Sequence, residues 1–164
     1  AQALSEQLNA MHIANFLLDG DDLRGGLNEN LGFSNSDREE NLRRAAHCAR
    51  LFQRSGIVTI ASFISPTAAS RKLISEIIVS DFYGVYVEAS LNTCENRDVK
   101  GHYKKARAGK IPEFTGISAP FEVPEHPFLT LTTDNQSIET CSEMLMEALK
   151  KPLGLDAILK SAVI

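Results

Sequence analysis

Residues 18–44 read LDGDDLRGGLNENLGFSNSDREENLRR, and this stretch decides the fold, because it leads from the end of an apolar run into a helix through a polar segment that no core accepts. The run it closes, NFLLD at 15–19, has the length and composition of a short strand. Beyond the polar segment, Ser36-Asp37-Arg38-Glu39 reads as a capping box, and Leu42, Ala45, Ala46, Ala49 and Phe52 fall on one buried helical face that Gly56 ends. Strand, polar turn and helix make half of a βαβ unit, and residues just past the carboxyl end of such a strand face the ligand crevice. Asp19, Asp21 and Asp22 would stand at that mouth. Three carboxylates so close repel one another and call for a cation, a hydroxyl or bulk water.

The same alternation extends in both directions. Leu4, Leu8 and Met11 are spaced as on a helix, and IVTIASF at 57–63 reads as a fully buried parallel strand. A helix over 68–78 with Leu73, Ile77 and Ile78 inward, a strand over 82–87, a short helix at LNTCENR, a strand over 128–132 and a helix over 137–150 ended by Pro152 and Gly154 follow. This pattern predicts an α/β fold, a parallel sheet with helices on both faces. Residues 1–154 are expected to form one domain, with 155–164 an apolar-leaning tail.

At 164 residues and 43% hydrophobic, the chain can bury a full core. It has no apolar run of the roughly 20 residues a bilayer span needs and no signal-peptide pattern, which points to a cytoplasmic or organelle-stroma protein without membrane attachment. Cys48, Cys94 and Cys141 are widely spaced in helical patterns, so they read as small buried hydrophobes rather than disulfides or zinc ligands. His12, His47, His102 and His126 suggest no metal cluster either. A net charge of -4 argues against a nucleic-acid partner. Local charge differs: Arg97, Lys100, Lys104, Lys105, Arg107 and Lys110 face one acid, Asp98, with Gly101 and Gly109 as hinges. The segment reads either as a solvated basic face or as a mobile lid over an anionic ligand.

Arg24, Arg38, Arg43 and Arg44 surround Phe33, which sits between Gly32 and Ser34. Guanidinium forks suit phosphate or sulfate oxygens, and an exposed aromatic face suits a nucleobase. The segments DGD, R-x-GLN, LGFS and DREEN, in this order, together with ASFISP at 61–66 and RDVKGHYKKARAGKIPEFTGI at 97–117, resemble the adenylyl-sulfate (APS) kinase family over residues 17–133. The resemblance implies a P-loop kinase fold and transfer of the terminal phosphoryl group of ATP, with Mg2+, to the 3'-hydroxyl of adenosine 5'-phosphosulfate (APS), giving 3'-phosphoadenosine 5'-phosphosulfate (PAPS). It implies a homodimer and admits a fusion to, or association with, ATP sulfurylase.

By position in the family motifs, Asp21 would orient the 3'-hydroxyl and a hydrated magnesium ion, with Asp19 supporting it and Ser65 close to the transferred phosphate. Arg24, Arg38 and Asn41 would hold the phosphosulfate and ribose, Phe33 and Phe114 would sandwich the adenine, and Ile64 and Ile117 would line the pocket. Lys100 and Arg97 would neutralise phosphates as the lid closes, Arg97 on the ATP side. From the residues alone, Arg38 also reads as a solvent arginine, Asn41 as a polar residue on an exposed helix face, Ser65 as a helix N-cap, and Phe33 and Phe114 as packing anchors. No residue is assigned as a direct metal ligand.

The chain departs from the family in three places. No G-x-x-x-x-G-K-[ST] phosphate loop occurs anywhere in it. Either the sequence starts inside the helix that follows such a loop, with a strand and loop upstream, or it is a member that lost the loop and serves as a non-catalytic APS- or PAPS-binding regulatory module. Asp22 and Gly25 stand where relatives have Asn and His, and Thr67-Ala68-Ala69-Ser70 replaces an aromatic and basic run.

Overall fold

The computed structural model describes residues 1–155, and the expected tail lies outside them except for Leu155, which is buried. The elements run α1 (Gln2–Ala10), β1 (Asn15–Asp19), α2 (Gly20–Arg24), α3 (Asn35–Arg54), β2 (Val58–Ser62), α4 (Ala68–Ile78), β3 (Val85–Glu88), α5 (Leu91–Asn96), α6 (His102–Arg107), β4 (Leu129–Thr132) and α7 (Ile138–Lys150). The α/β alternation is as expected. Among the described residues, however, the four strands form two separate parallel ladders, β1–β2 and β3–β4, rather than one continuous sheet.

Helices cover both faces of the first ladder. Leu4 and Leu8 of α1 and Leu149 of α7 enclose Val58 and Ile60 of β2 together with Tyr83, Leu145 and Met146. On the opposite face Leu18 of β1 packs with Ala45 and Ala49 of α3, Phe63 and Ile78. The alternation of Val58 and Ile60 with Leu18's register partner Ala61 is the two-residue period of a strand between two helix layers. Each fully buried leucine contributes about 1.5–3 kcal/mol. β2 is nevertheless only half-buried and its last residues, Ala61 and Ser62, are exposed, which corrects the fully buried reading. β2 pairs along one edge only among the described strands, so its apolar composition is not matched by enclosure.

Local corrections have local causes. The cap of α3 is Ser34, two residues before the expected box: its Oγ accepts the Asp37 N–H at 3.2 Å, and its extended backbone (φ −60°, ψ 161°) starts the helix at Asn35. Thr67 rather than Ser65 caps α4, in a reciprocal box with Ser70. β3 begins at Val85, not 82, because its pairing with β4 starts at Val85 opposite Leu129. Phe52 is half-buried and stacks on Phe16 at 4.4 Å. Cys141 is buried, whereas Cys48 and Cys94 are half-buried. No helix among the described residues is long and apolar enough to cross a membrane.

Candidate functional site

The candidate residues issue from the carboxyl ends of the strands. In the β1–β2 register Asp19 pairs with Ser62, so the turn after β1 and the 63–66 segment lie side by side. Gly20 permits that approach, since a Cβ there would meet the Phe63 ring at 3.3 Å. Asp19 caps α2: its Oδ1 accepts the Asp21 N–H at 2.8 Å. Asp21 leaves this turn to pair with Lys100 from the basic segment. The Lys100 hydrogen bond and charge hold the Asp21 carboxyl below the usual carboxylate range, and Asp21 in turn raises Lys100. Both side chains are open to solvent, at 73% and 62% exposure, so the pair can yield to a ligand at little cost.

The second group centres on Phe33, which is 60% exposed. The Arg24 guanidinium carbon lies 4.3 Å from its ring centroid and that of Arg38 5.6 Å away. Arg24 Nη1 donates to the carbonyls of Leu31 (3.2 Å) and Gly32 (3.0 Å), fixing the loop that carries the ring. Arg38 Nε donates to the Phe33 carbonyl at 3.0 Å and its Nη2 to the Glu113 carbonyl at 3.1 Å. Arg38 is thus half-buried and tied down, not a solvent arginine. It links the start of α3 to the loop bearing Phe114, where Glu113 holds a left-handed φ of 50°.

Burial, then the neighbouring Arg24 charge, lowers the proton affinity of Arg38. Among the described residues neither Arg24 nor Arg38 forms a salt bridge. Two guanidinium groups against one aromatic face, neither ion-paired to a carboxylate among the described residues, form a site suited to a planar ligand with a strong anion.

Phe114 packs edge-on against Tyr103 at 4.9 Å and 75°, while its carbonyl accepts the N–H groups of Ile117, Ser118 and Ala119 at 3.0 Å each. Ile117 therefore belongs to the same tight turn. Burial, then a hydrogen bond to Cys94, pushes the Tyr103 hydroxyl up to about 12. Asn41 is buried, contrary to the exposed-face alternative, and its Oδ1 accepts from Asn28 Nδ2 at 2.9 Å.

Ile64 is exposed at the end of β2, and the Ser65 carbonyl accepts from Arg71 Nη1 at 2.9 Å. Arg97 lies elsewhere: its two Nη atoms bond the Thr133 carbonyl (2.6 Å) and hydroxyl (3.1 Å) beyond β4. The structure thus joins Asp19, Asp21 and Lys100 in one group and Arg24, Phe33, Arg38 and the Phe114 loop in another, with Arg97 on the β3–β4 ladder.

Residues unassigned from the sequence also shape the site. Asp98, the lone acid of the basic segment, accepts the N–H groups of His102 (2.8 Å) and Lys104 (3.0 Å) and so anchors α6, while Gly101 supplies the left-handed φ of 67° before it. Arg107 pairs with Glu95 at 2.6 Å, docking α6 on α5. Asn28 closes the R-x-GLN motif and Glu113 falls within the 97–117 segment, so membership of a matched motif is the signal that points to them. Among the described residues no three His, Cys, Asp or Glu side chains converge on a metal position. The carboxylates at the mouth fit an ion held through water, not a closed ligand set.

The adenylylsulphate kinase family model matches residues 1–132. The chain is 52% identical over 148 residues to the adenylyl-sulfate kinase of Bacteroides thetaiotaomicron, covering 90% of this chain and 74% of that protein. It is 45% identical over 152 residues to that of Acaryochloris marina, covering 92% and 74%. Among solved structures it is similar to the Mycobacterium tuberculosis APS kinase in complex with AMPPNP and APS, with a TM-score of 0.89, 41% identity and coverage of 92% and 88%. Fold, motif order and these matches agree: the chain belongs to the adenylylsulphate kinase family.

Proposed function

We propose that this chain forms the APS-binding part of an adenylyl-sulfate kinase that moves the γ-phosphoryl group of ATP to the 3'-hydroxyl of APS. The bond from the 3'-oxygen to phosphorus forms, the bridge to the β-phosphate breaks, ADP leaves, and the hydroxyl proton passes toward Asp21 or solvent, giving PAPS. The observation that carries this reading is the pair of arginines on the exposed Phe33 face, neither of them in a salt bridge among the described residues. Phosphoryl transfer relies on positioning and charge stabilisation, and the residues divide between those tasks.

In this reading Arg24, Arg38 and Asn41 hold the phosphosulfate and ribose, and Phe33 and Phe114 enclose the adenine beside Ile117. Asp21 orients the 3'-hydroxyl, supported by the Asp19 cap, while Ile64 and Ser65 border the transferred phosphate. Lys100 exchanges Asp21 for a ligand phosphate as the basic segment closes, with Arg97 on the ATP side. Magnesium, arriving with ATP, would neutralise phosphate charge and contact Asp21 through water. A cytoplasmic, homodimeric protein is part of the same proposal.

The 164 residues hold no glycine-rich loop ending in Gly-Lys-Ser or Gly-Lys-Thr to cradle the β- and γ-phosphates. That favours a second reading for these residues by themselves: they bind APS or PAPS without transferring phosphate. Paired assays test both. The isolated chain is expected to bind APS saturably and to make no PAPS from ATP and APS; robust PAPS formation would overturn the second reading, and failure to bind APS would overturn the first.

A further inference from the structure

Asn28 is wholly enclosed, with none of its surface exposed. A carboxamide has a donor end and an acceptor end, and which end faces which neighbour is decided by what those neighbours can do. Here the decision starts at Glu40. Its carboxylate, held down to about 2 by hydrogen bonds from Arg43 and Arg44, is an acceptor only. It takes Arg44 Nε at 2.8 Å and Arg43 Nε and Nη2 at 2.6 and 2.9 Å.

Arg44, a donor only, is thereby aimed into the 27–30 turn. Its Nη1 reaches the Leu27 carbonyl (3.0 Å), Asn30 Oδ1 (2.9 Å) and Asn28 Oδ1 (3.4 Å). The Asn28 oxygen must therefore face Arg44 and its nitrogen must face Asn41. Asn28 Nδ2 donates to Asn41 Oδ1 at 2.9 Å. With its oxygen turned to Asn28, the Asn41 amide directs its Nδ2 group the other way.

The Asn41 side chain makes no other hydrogen bond among the described residues. Gln7 Oε1 is the sole sealed, unpartnered side-chain polar atom among them, so the Asn41 amide nitrogen is not sealed off. Asn41 lies one helical turn beyond Arg38 on α3, and residues three apart share a helix face. A free NH2 group presented there matches an anionic oxygen, whereas the flipped amide would present an oxygen and repel it.

We propose that Asn28, oriented by Arg44 and Glu40, is a positioning residue that fixes the Asn41 amide with its donors toward the phosphosulfate of APS. The proposal rests on the reading above that Asn41 binds that group. Replacing the Asn28 nitrogen with an oxygen reverses the relay: Asn28→Asp would draw the Asn41 NH2 inward and turn its oxygen toward the ligand.

Calorimetric titration of the 164-residue chain with APS, with melting temperature measured alongside, tests this. Asn41→Ala is expected to weaken binding about tenfold or more, as a hydrogen bond to a charged group does. Asn28→Asp should weaken it as much, and the double variant no further than Asn41→Ala alone. Arg44 is on the partly exposed rim, so it serves if Asn28→Asp fails to fold. Arg44→Met should lower the melting temperature modestly and weaken APS binding in a chain still folded at the titration temperature, and Arg44→Lys, which keeps a donor, should restore most of both. If Asn41→Ala leaves affinity unchanged, the assignment of Asn41 fails and the proposal with it. If Asn41→Ala weakens binding while Asn28→Asp and Arg44→Met do not, or if the double variant is additive, the positioning role alone is overturned.

Discussion

Asp21 has an exposed carboxylate, a lysine on it, and a backbone N–H already bound to Asp19, so its side chain is aimed while its charge is held in reserve. Asp21→Asn keeps the shape and hydrogen-bonding capacity but removes that charge. Joined to an upstream Gly-Lys-Ser/Thr phosphate loop, the Asn variant should transfer phosphate more slowly by about 10²-fold or more, with APS affinity nearly unchanged, in single-turnover and titration experiments. Unchanged chemistry would reduce the acidic turn to a solvated cap.

Tyr103 makes a prediction about pH. Its hydroxyl is pushed up to about 12, above the ordinary value near 10, so the folded state holds the proton more tightly than the unfolded one. The resulting stabilisation is fully present below about pH 10 and is lost as pH rises toward 12. Melting temperature should fall more steeply across that window in the wild type than in Tyr103→Phe, which has no proton to lose.

Among the elements, the basic segment 97–110 is where charge and structure meet. The sequence presents six cations and one acid, a composition equally suited to a solvated face or a lid. The structure divides them: Arg97 ties to Thr133, Lys100 to Asp21, Arg107 to Glu95, and Asp98 caps α6. Lys100→Ala would leave Asp21 as a bare carboxylate facing an anionic ligand, adding repulsion to a lost contact. APS titrations at rising salt should show weaker binding with a shallower salt dependence than the wild type. An unchanged salt slope would mean that Lys100 does not reach the ligand.

The elements themselves were largely readable, and the reasons are physical. NFLLD, the Leu42 to Ala49 stripe and the residues 68–78 carry periodicity strong enough to fix strand or helix, and they lie where expected. The cap of α3 was misread because Ser34, Ser36 and Asp37 all suit the position, and only the backbone turn decides among them. Asn41 stands one turn before Ala45 and Ala49 on the buried face of α3, so periodicity places it there; what periodicity does not record is its partner Asn28, which arrives from a loop thirteen residues earlier. The role of Glu113 was invisible for a like reason: it lies in a carbonyl and a left-handed φ, neither of which a side-chain pattern records.

At the scale of the whole molecule, the carboxyl ends of two parallel ladders supply the proposed APS site, while the sequence supplies no glycine-rich phosphate loop. In the proposed reading APS binding is complete within these residues and depends on the aromatic pair framed by Arg38. Calorimetric titration of APS into the 164-residue chain, compared with Phe33→Ala and Phe114→Ala, tests it most directly. Each substitution should weaken binding by about 1–3 kcal/mol, the worth of a base stacked on an aromatic ring, with little change in melting temperature. Unchanged affinity accompanied by a collapse in melting temperature would make both rings packing anchors and remove them from the APS site.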